Sequence, residues 1–276
     1  MAMTISIQGE RTSFHDIAAR QFFDTDSQRV YCQTFADTFK MLEESRADYV
    51  LCALENSLYG SINEVYDLLL KYHFSIVGEV YLRIEQCLIG LPGSNLATIR
   101  EVHSHPVALA QCEQYLDTQL PDVERLESHD TAGSVAMVAK LGNPAIAAIA
   151  GKEAAELYGL KVLARSIENN SQNYTRFIIL SKSREAVAGA NKTSLVLRTD
   201  HTPGALHAVL GSFAKRSINL TKLQSRPIID KAWHYVFYLD VDAGTQDVRL
   251  KEALVELTAL HCETTVLGSY VAGITS

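Results

Sequence analysis

Several features that would assign a protein to a class at once are missing from this sequence. No apolar stretch is long enough to span a bilayer, and the longest, such as residues 145–150, fall far short of the roughly 20 residues a membrane helix needs. Residues 1–7 lack a basic segment followed by a long apolar one, so they do not form a secretory signal. We therefore expect a cytoplasmic protein without a membrane partner.

Cysteine pairs and metal-binding motifs are also missing. The five cysteines are an odd number, are widely spaced and include no C-x-x-C pair, which argues against a disulfide framework or a zinc site. We expect them to be buried free thiols. His103 and His105 lie close together, but no further ligand stands at a supporting spacing. We therefore expect no metal, and we interpret His105 as a hydrogen-bonding residue at a helix start.

Basic runs and the commonest catalytic motifs do not occur. The formal net charge is −7 and no Lys/Arg block offsets it, so a nucleic-acid partner is not expected. The sequence contains no G-x-S-x-G, P-loop, G-x-G-x-x-G or H-E-x-x-H motif. These absences exclude the commonest hydrolase, kinase, dinucleotide-binding and zinc-protease classes. They leave room for an anionic substrate, because a pocket can be positive on an acidic protein.

Strand-like and helix-like segments alternate through the first two thirds of the chain. The continuous apolar run at residues 49–54 is typical of a strand buried on both faces. Thr34 to Asp37 and Ser61 to Glu64 each have the pattern of a capping box at a helix start. This rhythm predicts a largely parallel α/β sheet.

A change in composition separates the last third of the chain. Residues 181–193 are rich in Ser, Ala, Lys and Gly and show no apolar periodicity, which indicates a linker or domain boundary. The hydrophobic pattern beyond it predicts the order β-α-β-β-α-β. That order is typical of a ferredoxin-like sandwich.

Short polar clusters stand where predicted strands lead into helices or where a strand begins. They are Thr12 to His15, Glu55 to Ser57, Ser104–His105, Asp130–Thr131 and Asn173 to Arg176. Such junctions gather at the carboxyl ends of parallel strands, where ligands bind. Each cluster alone fits an ordinary helix cap or surface turn equally well. Together they predict a pocket of hydroxyls and amides with one Arg, which suits an anionic ligand.

These clusters, in this order, resemble the motifs of the prephenate dehydratase family over nearly the full length of the chain. The matching runs are Glu55-Asn56-Ser57 with Gly60, Ser104-His105-Pro106 followed by residues 108–112, Asp130-Thr131-Ala132, and Asn173-Tyr174-Thr175-Arg176-Phe177. The last third resembles the family's ACT regulatory domain, through residues 203–206 and 219–227.

The resemblance implies an architecture and a reaction. The catalytic domain, residues 1–182, would be two α/β lobes around a cleft, similar to type II periplasmic binding proteins, and residues 193–272 would form the ferredoxin-like ACT domain. The reaction would be loss of water and CO2 from prephenate to give phenylpyruvate, in L-phenylalanine biosynthesis, without a cofactor. Since the similarity begins near residue 5, we expect no chorismate mutase domain ahead of it.

The resemblance also implies residue roles. Thr175 would be catalytic and assist departure of the ring hydroxyl. Substrate would be bound by Glu55, Asn56, Ser57, His105, Thr131, Asn173, Arg176 and Phe177. The effector L-phenylalanine would bind at Pro203, Gly204, Ala205, Leu206, Asn219 and Leu220, between the paired subunits of a homodimer or homotetramer.

Five positions depart from the family pattern. Thr12 stands where Gly is usual, His15 where Ser is frequent, Ala53 for Pro, Asp130 for Ser, and Gln224 for Glu. A side chain at position 12 is expected to reshape the first loop, and Asp130 adds negative charge near a site for a dianion. Two alternatives stay open: an arogenate dehydratase, and a non-catalytic amino-acid sensor.

Overall fold

The structure is a computed structural model and describes residues 3–23, 26–184, 187–228 and 231–274. These residues separate into two compact units. The first comprises residues 3–68 and 80–177, and the second comprises residues 69–79 and 178–274. Each unit is described by itself below. The domain bounds expected from the sequence, 1–182 and 193–272, remain a prediction.

The strands and helices of the described residues are as follows. The strands are β1 Thr4–Gln8, β2 Gln28–Cys32, β3 Tyr49–Asn56, β4 Gly60–Ser61, β5 Ser75–Arg83, β6 Cys87–Gly90, β7 Glu101–Ser104, β8 Glu124–Glu127, β9 Ile146–Ala150, β10 Lys161–Ala164, β11 Tyr174–Ser181, β12 Lys192–Arg198, β13 Leu220–Ile228, β14 Lys231–Val241 and β15 Glu263–Tyr270. The helices are α1 Phe14–Phe22, α2 Phe35–Glu43, α3 Asn63–Tyr72, α4 Pro106–Gln111, α5 Glu113–Gln119, α6 Thr131–Leu141, α7 Lys152–Tyr158, α8 Ala205–Ala214 and α9 Val248–Ala259.

Local signals in the sequence account for most helix ends. Ser13 caps α1, Thr34 forms the predicted capping box of α2, and Asp130 caps α6, because each side chain accepts a backbone N–H that the helix leaves unpaired. Gly142 and Gly159 end α6 and α7 in the left-handed conformation that glycine adopts without strain. The predicted capping box at Thr34 is confirmed.

The second predicted capping box is wrong. Ser61 lies in β4, where it pairs with Glu55 of β3, and α3 begins only at Asn63. Because α3 begins at Asn63, the N-cap position is residue 62 and not Ser61. The interpretation failed because a four-residue pattern does not reveal that the preceding turn folds back onto its own strand.

The first unit contains two sheets. In one, the order is β2-β1-β3-β11-β5, and β1 runs parallel to both β2 and β3. In the other, the order is β10-β6-β9-β7-β8. There β7 runs parallel to β8 and β9, but β6 runs antiparallel to β9 and β10. The prediction of a largely parallel sheet is therefore wrong for this sheet, since the direction of β6 is set by partners far along the chain.

The second unit has the predicted β-α-β-β-α-β order and is a ferredoxin-like sandwich. Its sheet has the order β13-β14-β12-β15. Antiparallel ladders join β12 to β14 and β15, and β13 to β14. Inward-facing residues of β12 and β14, such as Leu195 and Leu239, form one core with Phe213 of α8 and Leu250 of α9. The alternation of side chains along strands explains why Leu195 and Leu197 of β12, and Leu239 and Val241 of β14, belong to this core.

A buried polar network also lies within the second unit. Lys192 Nζ is 3.0 Å from both carboxylate oxygens of Glu79, and the two side chains are 5% and 0% exposed. Close by in the sheet, Ser194 Oγ lies 2.5 Å from Asp240 Oδ1 and 2.7 Å from the hydroxyl of Tyr270. Buried charges are tolerated only when paired and hydrogen-bonded. Removal of either partner would therefore leave an uncompensated charge inside the unit.

Candidate active site

A cleft of about 940 Å³ in the first unit collects the predicted polar clusters. Each of the five clusters contributes at least one residue to its wall: Ser13 and His15, Asn56, His105, Asp130 and Thr131, and Thr175. The expectation that these junctions meet is confirmed. Strand ends from both sheets of the unit bring them together, although they are far apart in sequence.

Three helix N-termini open onto this cleft. The caps of α1, α4 and α6, which are Ser13, His105 and Asp130, all lie in the wall. Among the described residues that line the cleft, none is Lys or Arg. The unpaired N–H groups and dipoles at helix starts favour a negatively charged ligand. An anionic substrate can thus be held here by amides rather than by ammonium or guanidinium groups.

Thr175 and Asn56 form the polar centre of the wall. Asn56 Nδ2 donates to Thr175 Oγ1 at 3.0 Å, and both residues line the cleft. The orientation of the amide is fixed because Asn56 Oδ1 accepts the backbone N–H groups of Leu58 and Tyr59 at 3.0 and 3.1 Å. Since Thr175 Oγ1 accepts the amide hydrogen, the hydroxyl hydrogen remains available to a ligand.

Ser57 and Asn173 hold this pair in place. Ser57 Oγ donates to Gln172 O at 2.8 Å and accepts Tyr174 N at 2.9 Å, which ties the end of β3 to the start of β11. Asn173 is fully buried, and its Oδ1 accepts Asn56 Nδ2 at 2.7 Å. Neither Ser57 nor Asn173 is among the residues lining the cleft. Their direct contact with substrate stays a prediction, while their supporting role follows from these bonds.

Arg176 lies away from the cleft wall. Thr175 and Phe177 line the cleft, and because side chains alternate along a strand, Arg176 of β11 points to the opposite face of the sheet. It is 2% exposed there, and its Nη1 lies 3.2 Å from Glu55 Oε1. The structure does not bring Arg176 or Glu55 to the lining. A direct clamp of Arg176 on a substrate carboxylate stays a prediction, and this pairing argues against it.

The other predicted substrate residues, His105, Thr131 and Phe177, do line the cleft. His105 caps α4 through Nδ1, which accepts Val107 N at 3.2 Å, as expected of a hydrogen-bonding histidine at a helix start. Burial lowers the pKa of His105, and the charge of Asp130 opposes that shift in part. His105 therefore contributes a neutral ring to the wall near neutral pH.

Two carboxylates give one part of the wall a negative character. Burial, and then the nearby Asp130, raise the pKa of Glu10, and both residues line the cleft. Asp130 Oδ1 accepts Gly133 N at 2.6 Å, so this carboxylate is held by the α6 N-terminus. The substitution of Asp for the family's frequent Ser thus places a charge in the wall.

Thr12 occupies a conformation that suits glycine. Its φ is 70°, in the left-handed region that β-branched residues avoid at a cost of about 1–2 kcal/mol. A reshaped first loop stays a prediction, and Thr12 itself adopts a backbone angle that glycine takes without strain. Asp16 Oδ2 accepts Thr12 N at 2.9 Å, and Asp16 is fully buried in α1, which fixes the loop.

His15 is a cleft residue to which the sequence analysis gave no role. Its Nε2 accepts Ala53 N at 3.2 Å, and its ring makes edge contacts with Phe35 and Phe177, with centroids 5.6 and 5.1 Å away. Burial lowers the pKa of His15 to about 4. The only sequence signal for a role of His15 was its place in the polar cluster that follows β1. A helix cap at Ser13 is enough to explain that cluster, so the signal did not single out His15.

We expect His15 to make the stability of the protein depend on pH. Its pKa falls from the ordinary 6.5 to about 4 on folding, so the unfolded chain binds the proton more tightly. The free energy of unfolding is then unaffected above pH 6.5 and falls as the pH drops toward 4, by about 3 kcal/mol in all. Urea unfolding at pH 7.5 and 5 should show a loss about 2 kcal/mol larger for wild type than for His15→Gln. Equal losses would contradict the buried neutral ring.

A second pocket, of about 410 Å³, lies in the second unit. Pro203, Ala205 and Leu206 line it, and Gly204 forms the N-cap of α8 with a φ of 84°. Asn219 and Leu220 do not line it, and Asn219 Nδ2 instead lies 3.0 Å from Asp242 Oδ2. The structure thus gathers part of the predicted effector set. Lining residues that the sequence analysis missed are His201, Ile228, His234, Tyr235 and Phe237.

Two further findings concern metals and membranes. Within the described ranges, no three His, Cys, Asp or Glu side chains are grouped so as to hold a metal ion, and all five cysteines are free, with only Cys32 partly exposed. None of the helices in those ranges is long and apolar enough to cross a bilayer.

Comparison with protein families identifies both units. The family model described as "Prephenate dehydratase" matches residues 5–185, and the model described as "ACT domain" matches residues 193–259. Among curated relatives, the bifunctional chorismate mutase/prephenate dehydratase of Aquifex aeolicus is 35% identical over 266 residues, 96% of this chain and 73% of the relative. Arogenate dehydratase 1 of Petunia hybrida is 38% identical over 291 residues, 99% of this chain and 68% of the relative.

Two solved structures are similar to this chain over nearly its full length. Prephenate dehydratase from Arthrobacter aurescens in complex with L-Phe is 30% identical, with a TM-score of 0.88 over 98% of this chain and 90% of that chain. The structure of GqqA, described as a novel type of quorum quenching acylase, is 35% identical, with a TM-score of 0.87 over 98% of both chains.

Proposed function

Because the chain belongs to the prephenate dehydratase family, we propose that its cleft converts prephenate to phenylpyruvate, CO2 and water through the Thr175–Asn56 pair. The observation that supports this most directly is the bond from the Asn56 amide to Thr175 Oγ1, in a cleft ringed by helix N-termini. The product serves L-phenylalanine biosynthesis.

The chemistry asked of Thr175 is modest. The electrons of the bond between C1 and its carboxylate enter the ring as the C4–O bond breaks, so CO2 leaves and the ring becomes aromatic. The departing hydroxyl receives a hydrogen bond, and then a proton, from Thr175, and solvent restores that proton. No other group in the ring needs to be protonated or deprotonated.

Asn56 makes it easier for Thr175, a very weak acid, to donate its proton. A threonine hydroxyl titrates far above neutral pH, so it is a poor general acid unless its conjugate oxyanion is stabilised. The Asn56 amide hydrogen already points at Thr175 Oγ1 at 3.0 Å, where negative charge develops as the proton leaves. Pre-organised donors of this kind stabilise an oxyanion more than the neutral ground state. Asn56 therefore acts on Thr175 rather than as a simple substrate contact.

The substrate carboxylates are held by neutral donors. With Arg176 paired to Glu55 on the other face of the sheet, the N–H groups at the starts of α1, α4 and α6 and the hydroxyl of Thr131 are the available partners. Arg176 then serves the site indirectly, because its ion pair fixes Glu55 beside the Asn56 turn.

Side-by-side assays separate this function from its alternatives. Purified protein should turn over prephenate, with phenylpyruvate formation followed by absorbance, at a kcat/KM above that for arogenate. The reverse preference would make it an arogenate dehydratase, as the Petunia relative is named. Turnover of neither substrate, with binding of L-phenylalanine retained, would indicate a sensor. An acylase assay tests one further activity, because the similar protein GqqA is described as an acylase.

We expect L-phenylalanine to inhibit the enzyme through the second pocket. The Arthrobacter relative was solved with L-Phe, and the pocket in this chain combines apolar side chains with the start of α8. Millimolar L-phenylalanine should lower the rate, and Leu206→Ala should raise the concentration needed by about tenfold through lost apolar contact. Val248→Ala, at a 65% exposed position, serves as control. An unchanged wild-type rate would contradict this regulation.

The proposal includes an oligomer. The ACT resemblance implies an effector site between paired subunits, and Asn219 and Leu220 lie outside the pocket that one chain forms. We propose a homodimer or homotetramer in which these two residues contact the effector from a neighbouring subunit. A cytoplasmic location is likewise proposed.

A further inference from the structure

His15 presents a fixed hydrogen-bond donor to the cleft. Its Nε2 accepts the backbone N–H of Ala53 at 3.2 Å, and a nitrogen that accepts a hydrogen bond carries no proton. The proton of the neutral ring is therefore on Nδ1. Burial keeps the ring in this neutral form at physiological pH, with a pKa of about 4. The hydrogen bond from Ala53 of β3 to Nε2 therefore sets the tautomer of His15.

The orientation of the ring is set by packing. Phe35 and Phe177 meet the His15 ring edge to face on two sides, at 5.6 and 5.1 Å. Within the described residues, the hydrogen bonds of this side chain involve Nε2 alone. The His15 ring is held in place by two aromatic side chains and keeps one N–H that can donate to a ligand. Such a placed polar group in an apolar surround is typical of ligand-binding sites.

His15 lines the same cleft as Thr175 and contacts Phe177, the next residue on that face of β11. Phe177, which His15 contacts, is two residues beyond Thr175 on the same face of β11, a separation of about 7 Å. A cyclohexadiene ring with its C4 hydroxyl at Thr175 places the substituents of C1 about as far away as Phe177, whose ring His15 contacts. The acceptors there are carboxylate oxygens.

We propose that His15 is a substrate-positioning residue, whose Nδ1–H donates to the side-chain carboxylate of prephenate while Thr175 meets the hydroxyl at the other end. This rests on the proposed function. The carboxylate concerned is the one that the product keeps. A donor on the departing carboxylate would stabilise the ground state and slow the loss of CO2, whereas a bond to the retained group persists through the transition state and lowers KM.

A matched pair of amide variants tests this. The amide of His15→Asn reaches the place of Nδ1 and keeps the donor toward the cleft, whereas His15→Gln reaches the place of Nε2 and keeps the acceptor for Ala53. We expect His15→Gln to raise KM for prephenate about tenfold or more, with kcat changed little, because a hydrogen bond to a charged group is lost. His15→Asn should remain within about threefold of wild type in KM, even where its stability falls.

The opposite ranking of the two His15 variants in KM would overturn the proposal. If His15→Gln keeps the wild-type KM and His15→Asn does not, the histidine only supports the backbone at Ala53. Calorimetric titration of prephenate into both variants gives the same comparison without turnover. Loss of turnover in wild type with prephenate binding intact would therefore count against the proposed reaction alone, and the order of the two dissociation constants would still decide the role of His15.

Discussion

Replacing Thr175 by valine is expected to lower kcat for prephenate by about 100- to 1,000-fold, with little change in KM. Valine keeps the shape of threonine and removes only the hydroxyl that meets the leaving group. Thr175 is 8% exposed and lines the cleft, and its Oγ1 is held by Asn56, so the variant loses the donor without opening the wall. Steady-state kinetics, with circular dichroism to confirm folding, provide the measurement.

Two companion variants make this result specific. Thr175→Ser restores a hydroxyl in reach of Asn56 and should recover most of the rate. Thr118→Val removes a hydroxyl from an exposed position on α5, where Oγ1 donates only to nearby backbone carbonyls, and should leave kcat unchanged. A Thr175→Val enzyme with near-normal kcat would sink the assigned role, and the proton would have to come from solvent.

The second large effect concerns stability. Lys192→Met is expected to lower the free energy of unfolding by about 3–5 kcal/mol, because it leaves the Glu79 carboxylate buried without its cation. Glu79 is fully buried and is bound by Lys192 and by Gly273 N at 2.9 Å. Urea unfolding followed by circular dichroism measures the change.

The double variant Lys192→Met with Glu79→Gln should recover much of that loss, since the remaining amide is neutral and can still accept from Gly273 N. Lys215→Met is the matched control, because Lys215 pairs with Glu256 at the surface with its side chain 55% exposed. That change should cost less than about 1 kcal/mol. If Lys192→Met costs no more than Lys215→Met, the buried pair contributes nothing.

Sequence reasoning succeeded where the determinant is local. Ser13, Thr34 and Asp130 cap helices with their own side chains, so a few neighbouring residues suffice to predict where α1, α2 and α6 begin. The gathering of the clusters that follow strands could be predicted from the sequence, because strand-to-helix junctions gather at the carboxyl ends of strands. Thr175 lies at the start of β11, which this rule does not cover, and could be predicted through its family motif.

What the sequence did not reveal depends on contacts between distant residues or on which side of a strand a residue lies. Arg176 follows Thr175 in the sequence but does not line the cleft, because adjacent residues of one strand face opposite sides, and its contact with substrate stays a prediction. The antiparallel direction of β6 depends on β9 and β10, which come much later in the chain. Likewise, His234 and Tyr235 reach the second pocket from β14, far in sequence from Pro203.

The absence of Lys and Arg from the described lining of the cleft bears on how the enzyme meets its substrate. The fields of helix termini fade within a turn, so a dianion approaching an acidic protein gains no long-range attraction from the site itself. Association then depends on unsteered diffusional encounters that bring the substrate directly into the cleft. Added salt has little attraction to screen, and it weakens the repulsion from the protein's net charge of −7. The rate of association should therefore hold steady or rise with ionic strength, which is the opposite of electrostatic steering.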